Sequence, residues 1–189
     1  MDYKIFRAIN RFVGRYPSVD AIMIMISQKA RYVYVLLFIL MWFRSGFYKK
    51  ITIQATISAC ITLLIHFFIK RFYFRPRPFL NHNANILPPI PSRMNSSFPS
   101  KHTLLSFALA TSILFYNRLL GWIMWLLAFL TGFSRIWSGQ HYPSDIAGSA
   151  LIGSITSMAV NIIFWLWNCF VSCVMQSYNR VCAFVKVRY

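Results

Sequence analysis

The chain has 189 residues, of which 58% are apolar and only 12% are charged. Because the apolar share exceeds the roughly one half usual for globular domains and falls in long runs, the composition favours an integral membrane protein over a soluble helical one. The formal net charge is +17. The basic residues mostly flank the apolar runs, which is typical of contact with anionic lipid head groups rather than with nucleic acid.

The N-terminal part of the sequence predicts an amphipathic helix followed by an ambiguous apolar segment. Residues 3–13 place apolar and basic side chains with helical spacing, which predicts a short helix at the membrane interface. Gly14 and Pro17 end it. Residues 19–27 are apolar but too short to cross a bilayer, so they predict a re-entrant or interfacial helix or the start of a tilted span.

Five further apolar runs predict a bundle of membrane helices. They cover residues 32–43, 51–69, 103–116, 119–133 and 146–167. The longest approach the ~20 residues that cross a hydrocarbon core. The mixed tail, 168–189, is expected to lie along the membrane surface. We therefore predict an all-α, polytopic membrane helix bundle of about five to six spans with amphipathic interfacial helices, in a single domain covering 1–189.

Three polar stretches lie at the ends of these runs, at residues 70–78, 99–102 and 134–145. The first follows an apolar run, the second precedes one, and the third joins two. Threading the runs back and forth through the membrane places all three stretches on the same face. Basic residues such as Arg44 and Arg118 fall on the opposite face. By the excess of basic residues on cytoplasmic loops, the sequence predicts that the polar stretches face outward.

Two histidines in these stretches are candidates for chemistry. His141 lies four residues before Asp145, one of only three acidic residues in the chain. On a helix this spacing puts both side chains on one face, where the carboxylate can accept the Nδ1 proton and leave Nε2 free as a base or nucleophile. Pro143 suits the first turn of a helix, so we expect His141 at its mouth and Asp145 just inside. His102 is the second candidate.

Cationic and polar side chains in the same stretches predict a cradle for an anion. Arginine offers forked donors to phosphate oxygens, lysine offers a point charge, and a helix N-terminus adds backbone N–H groups. Phosphoryl transfer needs such a cradle, together with a nucleophile and an acid for the leaving oxygen. With three acidic residues in all, we expect no metal site and no cofactor. The predicted phosphate-binding residues are Lys70, Arg77, Ser100, Lys101 and Arg135.

The three stretches also carry the motifs of a known family. In chain order they read Lys-x6-Arg-Pro at residues 70–78, Pro-Ser-x-His at residues 99–102 and Ser-Arg-x5-His-x3-Asp at residues 134–145. These three motifs in this order closely resemble the type 2 phosphatidic acid phosphatase superfamily. The sequence around these motifs looks like that of the bacterial undecaprenyl-pyrophosphate phosphatase branch, which is linked to bacitracin resistance.

The resemblance implies a phosphatase of the bacterial cytoplasmic membrane, which acts outside that membrane on a lipid carrier of peptidoglycan synthesis. Its partners would be a polyprenyl or phospholipid phosphate substrate and the membrane lipids, with no nucleic acid. Undecaprenyl diphosphate would yield undecaprenyl phosphate and inorganic phosphate through a phosphohistidine. The implied roles are nucleophile for His141, held by Asp145, acid for His102, and contacts to the phosphoryl oxygens for Lys70, Arg77, Ser100 and Arg135.

Lys101 departs from the family pattern, which usually has glycine at that position. Its positive charge could meet a second phosphate, and this suits a diphosphate substrate. The same catalytic residues would also serve a phosphatidylglycerol-phosphate, phosphatidate or lipid A phosphatase. The alternative outside enzymes is a membrane anion-binding or transport protein.

Five other polar residues have less specific surroundings in the sequence. His66, within an apolar run, is expected to pack or to form a local hydrogen bond. Arg75 and Arg93 either touch substrate head groups or extend to the membrane interface. His82 is expected in solvent. Asp20 is either a local helix cap or a residue at the lip of the site.

Overall fold

The described part of the chain consists of helices, joined by short connections and one longer polar segment between residues 73 and 100. The computed structural model describes residues 2–81, 84–90, 92 and 96–186, with side chains through residue 176. His82 and Arg93 lie outside these residues. Within them there is no β-strand, so the predicted all-α class is confirmed. The helices are α1 (Asp2–Asn10), α2 (Pro17–Arg44), α3 (Gly46–Phe72), α4 (Pro78–Asn81), α5 (Lys101–Leu114), α6 (Arg118–Trp137) and α7 (Pro143–Lys186).

Helix α2 shows that the ambiguous apolar segment is the start of a span. The helix has proline in its first turn and runs without a break for 28 residues. Lys29 and Arg31 do not interrupt it, because both are exposed and lie against the ring of Tyr32. The distances to the ring centroid are 5.5 Å from Lys29 Nζ and 4.8 Å from Arg31 Cζ. Such cation–π contacts hold the charged ends beside an aromatic ring.

The polytopic membrane bundle is confirmed. Four described helices are long and apolar enough to cross a membrane: α2, α3, α6 and residues 143–176 of α7. Their outer faces carry exposed apolar side chains, such as Phe43 at 80% and Phe72 at 83% exposure. Helix α5 has 14 residues, fewer than the ~20 of a full span, and packs among α3, α6 and α7 as a shorter fifth helix. The assignment of 1–189 to one domain stays a prediction.

Helix α5 lies at the centre because small residues let its neighbours approach closely. A methyl group at Gly153 of α7 would come within 2.3 Å of the Leu104 carbonyl oxygen of α5. Ser112 Oγ of α5 lies 3.2 Å from Ser58 Oγ of α3 and 2.7 Å from Ser157 Oγ of α7. Small residues and hydroxyl bonds between helices are typical of membrane bundles. These contacts fix the relative positions of α3, α5 and α7.

Helix α7 is longer than the sequence suggested. It has 44 residues, about 66 Å at 1.5 Å per residue. Residues 168–186 continue α7, so the prediction that the tail 168–189 lies along the membrane surface is wrong as far as Lys186. No glycine or proline after Gly153 ends the helix. In α3, His66 is half-buried, and its buried Nε2 has no hydrogen-bond partner.

Helix α1 lies at the end of the bundle where α3 and α6 finish. Asn10 Nδ2 of α1 donates to the carbonyl of Trp137, the last residue of α6, at 3.2 Å. Asp20 accepts hydrogen bonds from Gly14 N at 2.9 Å and from Trp137 Nε1 at 2.8 Å. Through these two hydrogen bonds, Asp20 links the α1–α2 connection to α6. Because α2 crosses the bundle once, α1 and the polar stretches share one face.

Candidate active site

One end of the bundle collects the three polar stretches. Helices α3 and α6 end there, and α5 and α7 begin there. The loop between α6 and α7, residues 138–142, turns at Gly139, whose φ is 75°. A Cβ atom at this glycine would lie 2.5 Å from the Asn85 carbonyl oxygen. The loop therefore requires glycine for both its backbone angle and its close approach to the 84–90 segment.

His141 is buried in this loop, with 3% of its surface exposed. Its Nδ1 lies 2.7 Å from the Ser97 carbonyl oxygen, and because a carbonyl only accepts, Nδ1 carries the proton and Nε2 the lone pair. Nε2 lies 3.5 Å from Nη1 of Arg77. Burial lowers the pKa of His141 well below its usual value, and the charges of Arg135 and Arg77 lower it further, against the opposing Ser97 hydrogen bond. The ring is therefore neutral near pH 7.

The predicted hydrogen bond between His141 and Asp145 is replaced by this bond to Ser97. The distance from His141 Nδ1 to Asp145 Oδ2 is 3.9 Å, too long for a hydrogen bond. The reason is that His141 precedes α7 instead of lying in it, so helical i, i+4 geometry does not apply. The expected tautomer is the same, but a different acceptor fixes it.

Asp145 is fully buried in the first turn of α7. Its Oδ2 accepts from the Tyr142 backbone N at 2.9 Å, and from Ser97 Oγ. Its Oδ1 accepts from Arg75 Nη1 at 2.5 Å. Ser97 therefore joins the two predicted catalytic residues, because its hydroxyl binds Asp145 while its carbonyl binds His141.

Ser97 was not among the predicted site residues. The available signal was its position immediately before the Phe98-Pro99-Ser100 stretch, since a polar residue beside a motif is a reasonable candidate for supporting it. Its own contacts reach 44 and 48 residues along the chain. Nothing in the local pattern indicates such partners.

Arg75 is a second residue whose role the sequence did not indicate. Instead of extending freely to the membrane interface, it forms ion pairs, and the predicted head-group contact stays a prediction. It bonds Asp145 through Nη1 and Asp2 Oδ2 through Nη2 at 2.7 Å, and its guanidinium lies 4.5 Å from the ring centroid of Tyr142. Burial lowers the pKa of Arg75, but hydrogen bonds and charge from the two carboxylates raise it more, so the net shift is upward. Asp2 also accepts from Ser144 N at 3.0 Å, which ties α1 to α7.

The structure brings three predicted phosphate-binding cations around His141. Arg77, 5% exposed, donates to the Gln140 carbonyl at 3.2 Å. Arg135 in the last turn of α6 donates to Ser27 Oγ at 2.8 Å, while its buried Nε has no partner. Lys70 lies in the last turn of α3, and its charge also acts on the His141 ring. Because Asp145 is already bonded to Arg75, this concentration of positive charge suits an anion.

The other predicted residues occupy the start of α5. Ser100 is fully buried at the N-cap, where its N–H donates to Ser149 Oγ at 2.7 Å and its Oγ accepts from Thr103 at 3.1 Å. Lys101 is exposed and His102 is half-buried. The first N–H groups of a helix lack partners within the helix and favour anions. Together with the Arg77 and Arg135 side chains, this N-terminus forms the candidate phosphate site.

Within the residues whose side chains are described, no group of three or more His, Cys, Asp and Glu side chains is arranged to hold a metal ion. Asp145, the one carboxylate beside His141, is already bonded to Arg75. The site is therefore described by its histidines, its cations and one buried carboxylate.

A family model described as the PAP2 superfamily matches residues 51–170. The chain therefore belongs to the PAP2 superfamily, and the family predicted from the motifs is confirmed. With its bundle of membrane helices, the protein is a multi-pass membrane phosphatase of that family.

Individual relatives agree with this assignment. The chain is similar to undecaprenyl-diphosphatase BcrC of Bacillus subtilis (strain 168), with 36% identity over 182 residues that cover 96% of this chain and 93% of that protein. It also resembles the crystal structure of Aquifex aeolicus LpxE, with a TM-score of 0.72, 30% identity and coverage of 84% of this chain and 93% of that one. The chain also shares its fold with the crystal structure of a PAP2 type phosphatidylglycerolphosphate phosphatase from Bacillus subtilis. The TM-score is 0.66 and the identity 18%, and the match covers 85% of this chain and 85% of that one.

Proposed function

We propose that the protein hydrolyses undecaprenyl diphosphate to undecaprenyl phosphate and inorganic phosphate at the site around His141. The observation that carries the proposal is the neutral, buried ring of His141, whose Nε2 faces Arg77 within the combined charge of Arg135 and Lys70. The name of the 36% identical relative supports this substrate. Helices that expose apolar side chains to the membrane also suit a substrate with a long hydrocarbon chain.

In the first step, the lone pair on His141 Nε2 attacks the terminal phosphorus. A nitrogen–phosphorus bond forms while the bond from that phosphorus to the bridging oxygen breaks. Arg77 and Arg135 hold the non-bridging oxygens, whose charge Lys70 and the α5 N-terminus also stabilise. His102 enters this step protonated, a state that the negative charge of the bound diphosphate favours, and it gives that proton to the departing oxygen as the lipid monophosphate leaves.

In the second step, water attacks the phosphohistidine. His102, now neutral, takes a proton from that water, and the nitrogen–phosphorus bond breaks with its electron pair returning to Nε2 of His141. Inorganic phosphate leaves. During both steps Ser97 keeps the proton on Nδ1, while Asp145 and Arg75 hold Ser97 and the loop in place.

The decisive experiment measures phosphate release by the purified protein in detergent. Undecaprenyl diphosphate, phosphatidylglycerol phosphate, phosphatidate and lipid A are offered at matched concentrations, with EDTA present throughout. We expect kcat/KM to be highest for the diphosphate and unchanged by EDTA, because His141 supplies the nucleophile and the cations supply the charge. A preference for one of the monoester lipids would reassign the substrate, and no phosphate release from any of them would favour a binding or transport role.

We further propose that the site faces outward from the bacterial cytoplasmic membrane. Arg44, Lys49, Lys50 and Arg118 lie at the opposite end of the bundle, where basic residues favour the cytoplasm. The basic residues of α1 lie on the site face, which makes this asymmetry smaller than the sequence suggested. Several cations on the site face belong to the site itself. Arg75, for example, forms an ion pair with Asp145.

Thiol labelling of intact cells tests this orientation. In a variant whose four native cysteines are replaced by serine, Ile90→Cys lies on the site face at a position that is 67% exposed, and Phe47→Cys lies at the opposite end, 56% exposed. A membrane-impermeant thiol reagent is expected to label Ile90→Cys in intact cells and Phe47→Cys only after lysis. The reverse pattern would place the site in the cytoplasm.

A further inference from the structure

A cavity extends from His102 into the bundle between α2, α5 and α6. Its volume is about 190 Å³. The end beside His102 is lined by Ser27 and Arg31 of α2, and the far end by apolar side chains that include Val35 and Leu109. The cavity is therefore polar beside the candidate acid and apolar deeper in the bundle.

One face of α2 explains this change of character. Ser27, Arg31 and Val35 follow one another at four-residue spacing, so each lies about 6 Å further along the helix than the one before. Ser27 accepts a hydrogen bond from Arg135 of the phosphate site at 2.8 Å. Along this face, the contact with the phosphate site at Ser27 is followed by a cation, Arg31, and then by an apolar residue, Val35.

Arg31 is an unusual residue for this position, because it lies inside a helix long and apolar enough to span the membrane. Its guanidinium donates to the hydroxyl of its neighbour Tyr32 at 2.9 Å. The three acidic side chains of the sequence are bonded elsewhere: Asp2 and Asp145 to Arg75, and Asp20 to Trp137. A charged side chain within a span is costly and in most proteins marks a functional position.

We propose that Arg31, together with Lys101, binds the second phosphate of a lipid diphosphate, the one that remains on the lipid after transfer. This inference rests on the proposed function. With the terminal phosphorus at His141 and the bridging oxygen at His102, the second phosphorus must lie directly beyond His102. The charges of Arg31 and Lys101 both reach the His102 ring. The lipid chain then continues past Arg31 into the apolar end of the cavity.

This subsite would discriminate between substrate classes. A lipid monoester carries carbon, not phosphorus, beyond the bridging oxygen, so it gains nothing from these two cations. A diphosphate places two non-bridging oxygens there that share a negative charge, and charge-assisted hydrogen bonds to them strengthen its binding. Lys101, which stands where the family usually has glycine, and Arg31 would thus act as specificity-determining residues for the same reaction.

The test compares a prenyl diphosphate with the prenyl monophosphate of the same chain length, using Arg31→Gln and Lys101→Gln. The measured quantity is the ratio of kcat/KM for the diphosphate to kcat/KM for the monophosphate. For Arg31→Gln we expect this ratio to fall by roughly 10- to 100-fold, the value of a charged hydrogen bond, and Arg31→Lys to restore part of it. For Lys101→Gln, whose side chain does not line the cavity, we expect a smaller fall. Because both rates come from one preparation, loss of folded protein cancels in the ratio.

Lys29→Gln is the matched control, since it removes a positive charge from an exposed position of the same helix, two residues from Arg31. Its ratio is expected to equal that of the wild type. An unchanged ratio in Arg31→Gln would overturn the subsite, whether activity on the two substrates stays the same or falls equally. A wild-type protein that hydrolyses monoester lipids but not the diphosphate would overturn the proposed function as well, so the two failures are told apart by the wild type alone.

Discussion

His141→Ala is expected to abolish both turnover and the covalent phosphoenzyme, because Nε2 of His141 forms the bond to phosphorus and no other side chain replaces it. His102→Ala removes only the acid for the leaving oxygen. General acid catalysis contributes typically ~10²–10⁴-fold, so a residual rate and a residual phosphoenzyme should remain. Trapping of labelled phosphate on the protein, together with steady-state phosphate release, measures both quantities.

An activated aryl phosphate separates the two histidines further. Its leaving group needs no proton, so it should restore most of the activity of His102→Ala and none of that of His141→Ala. His66→Ala is the control, because His66 lies in α3 and is not used in the proposed reaction. Rescue of His141→Ala but not of His102→Ala would exchange the two roles.

Arg75→Gln is expected to produce the second large effect. It removes the cation from a carboxylate with no exposed surface, while the Arg75 side chain itself is 27% exposed. Leaving a buried acceptor without its partner costs ~1–3 kcal/mol, and the Ser97 and Tyr142 hydrogen bonds to Asp145 keep the cost from being higher. The loop that holds His141 should shift, and small displacements of a nucleophile lower kcat by about 10- to 100-fold.

The measurements for Arg75→Gln are the thermal unfolding midpoint in detergent and kcat. Arg71→Gln is the matched control, since it also removes an arginine charge near the end of α3 but from an exposed position. Asp2→Asn should give a smaller loss, because Arg75 keeps its bond to Asp145. If Arg75→Gln were as mild as Arg71→Gln, the ion pair would not position the catalytic loop.

The sequence was sufficient for the parts of the site that depend on motifs and threading. Apolar runs predicted the helices, and counting crossings placed residues 70–78, 99–102 and 134–145 on one face, where α3 and α6 end and α5 and α7 begin. Pro143 correctly indicated the start of α7. These predictions succeeded because each depends on local pattern and on the alternation of crossings, which a chain in a membrane must obey.

The contacts that hold the site could not be predicted, because they join residues far apart in the chain. Arg75 meets Asp2 and Asp145 at separations of 73 and 70 residues, and no periodicity encodes those pairs. The His141–Asp145 hydrogen bond was expected from helical spacing, yet the helix begins two residues after the histidine. Similarly, Lys29 and Arg31 looked like a break in α2, since hydropathy records charge but not the ability of a long side chain to lie on an aromatic ring.

The bond between Asp2 and Ser144 has a consequence for how the protein is made. The two residues are 142 positions apart, so Asp2 is synthesised long before its partner. During insertion, α1 can form these contacts only after α6 and the start of α7 have been made. Because Ser144 and Asp145 lie in the first turn of α7, we expect the catalytic loop to become ordered only at the end of assembly. A partly inserted chain would therefore hold its cations and His102 without a working nucleophile, and would be inactive until α7 is in place.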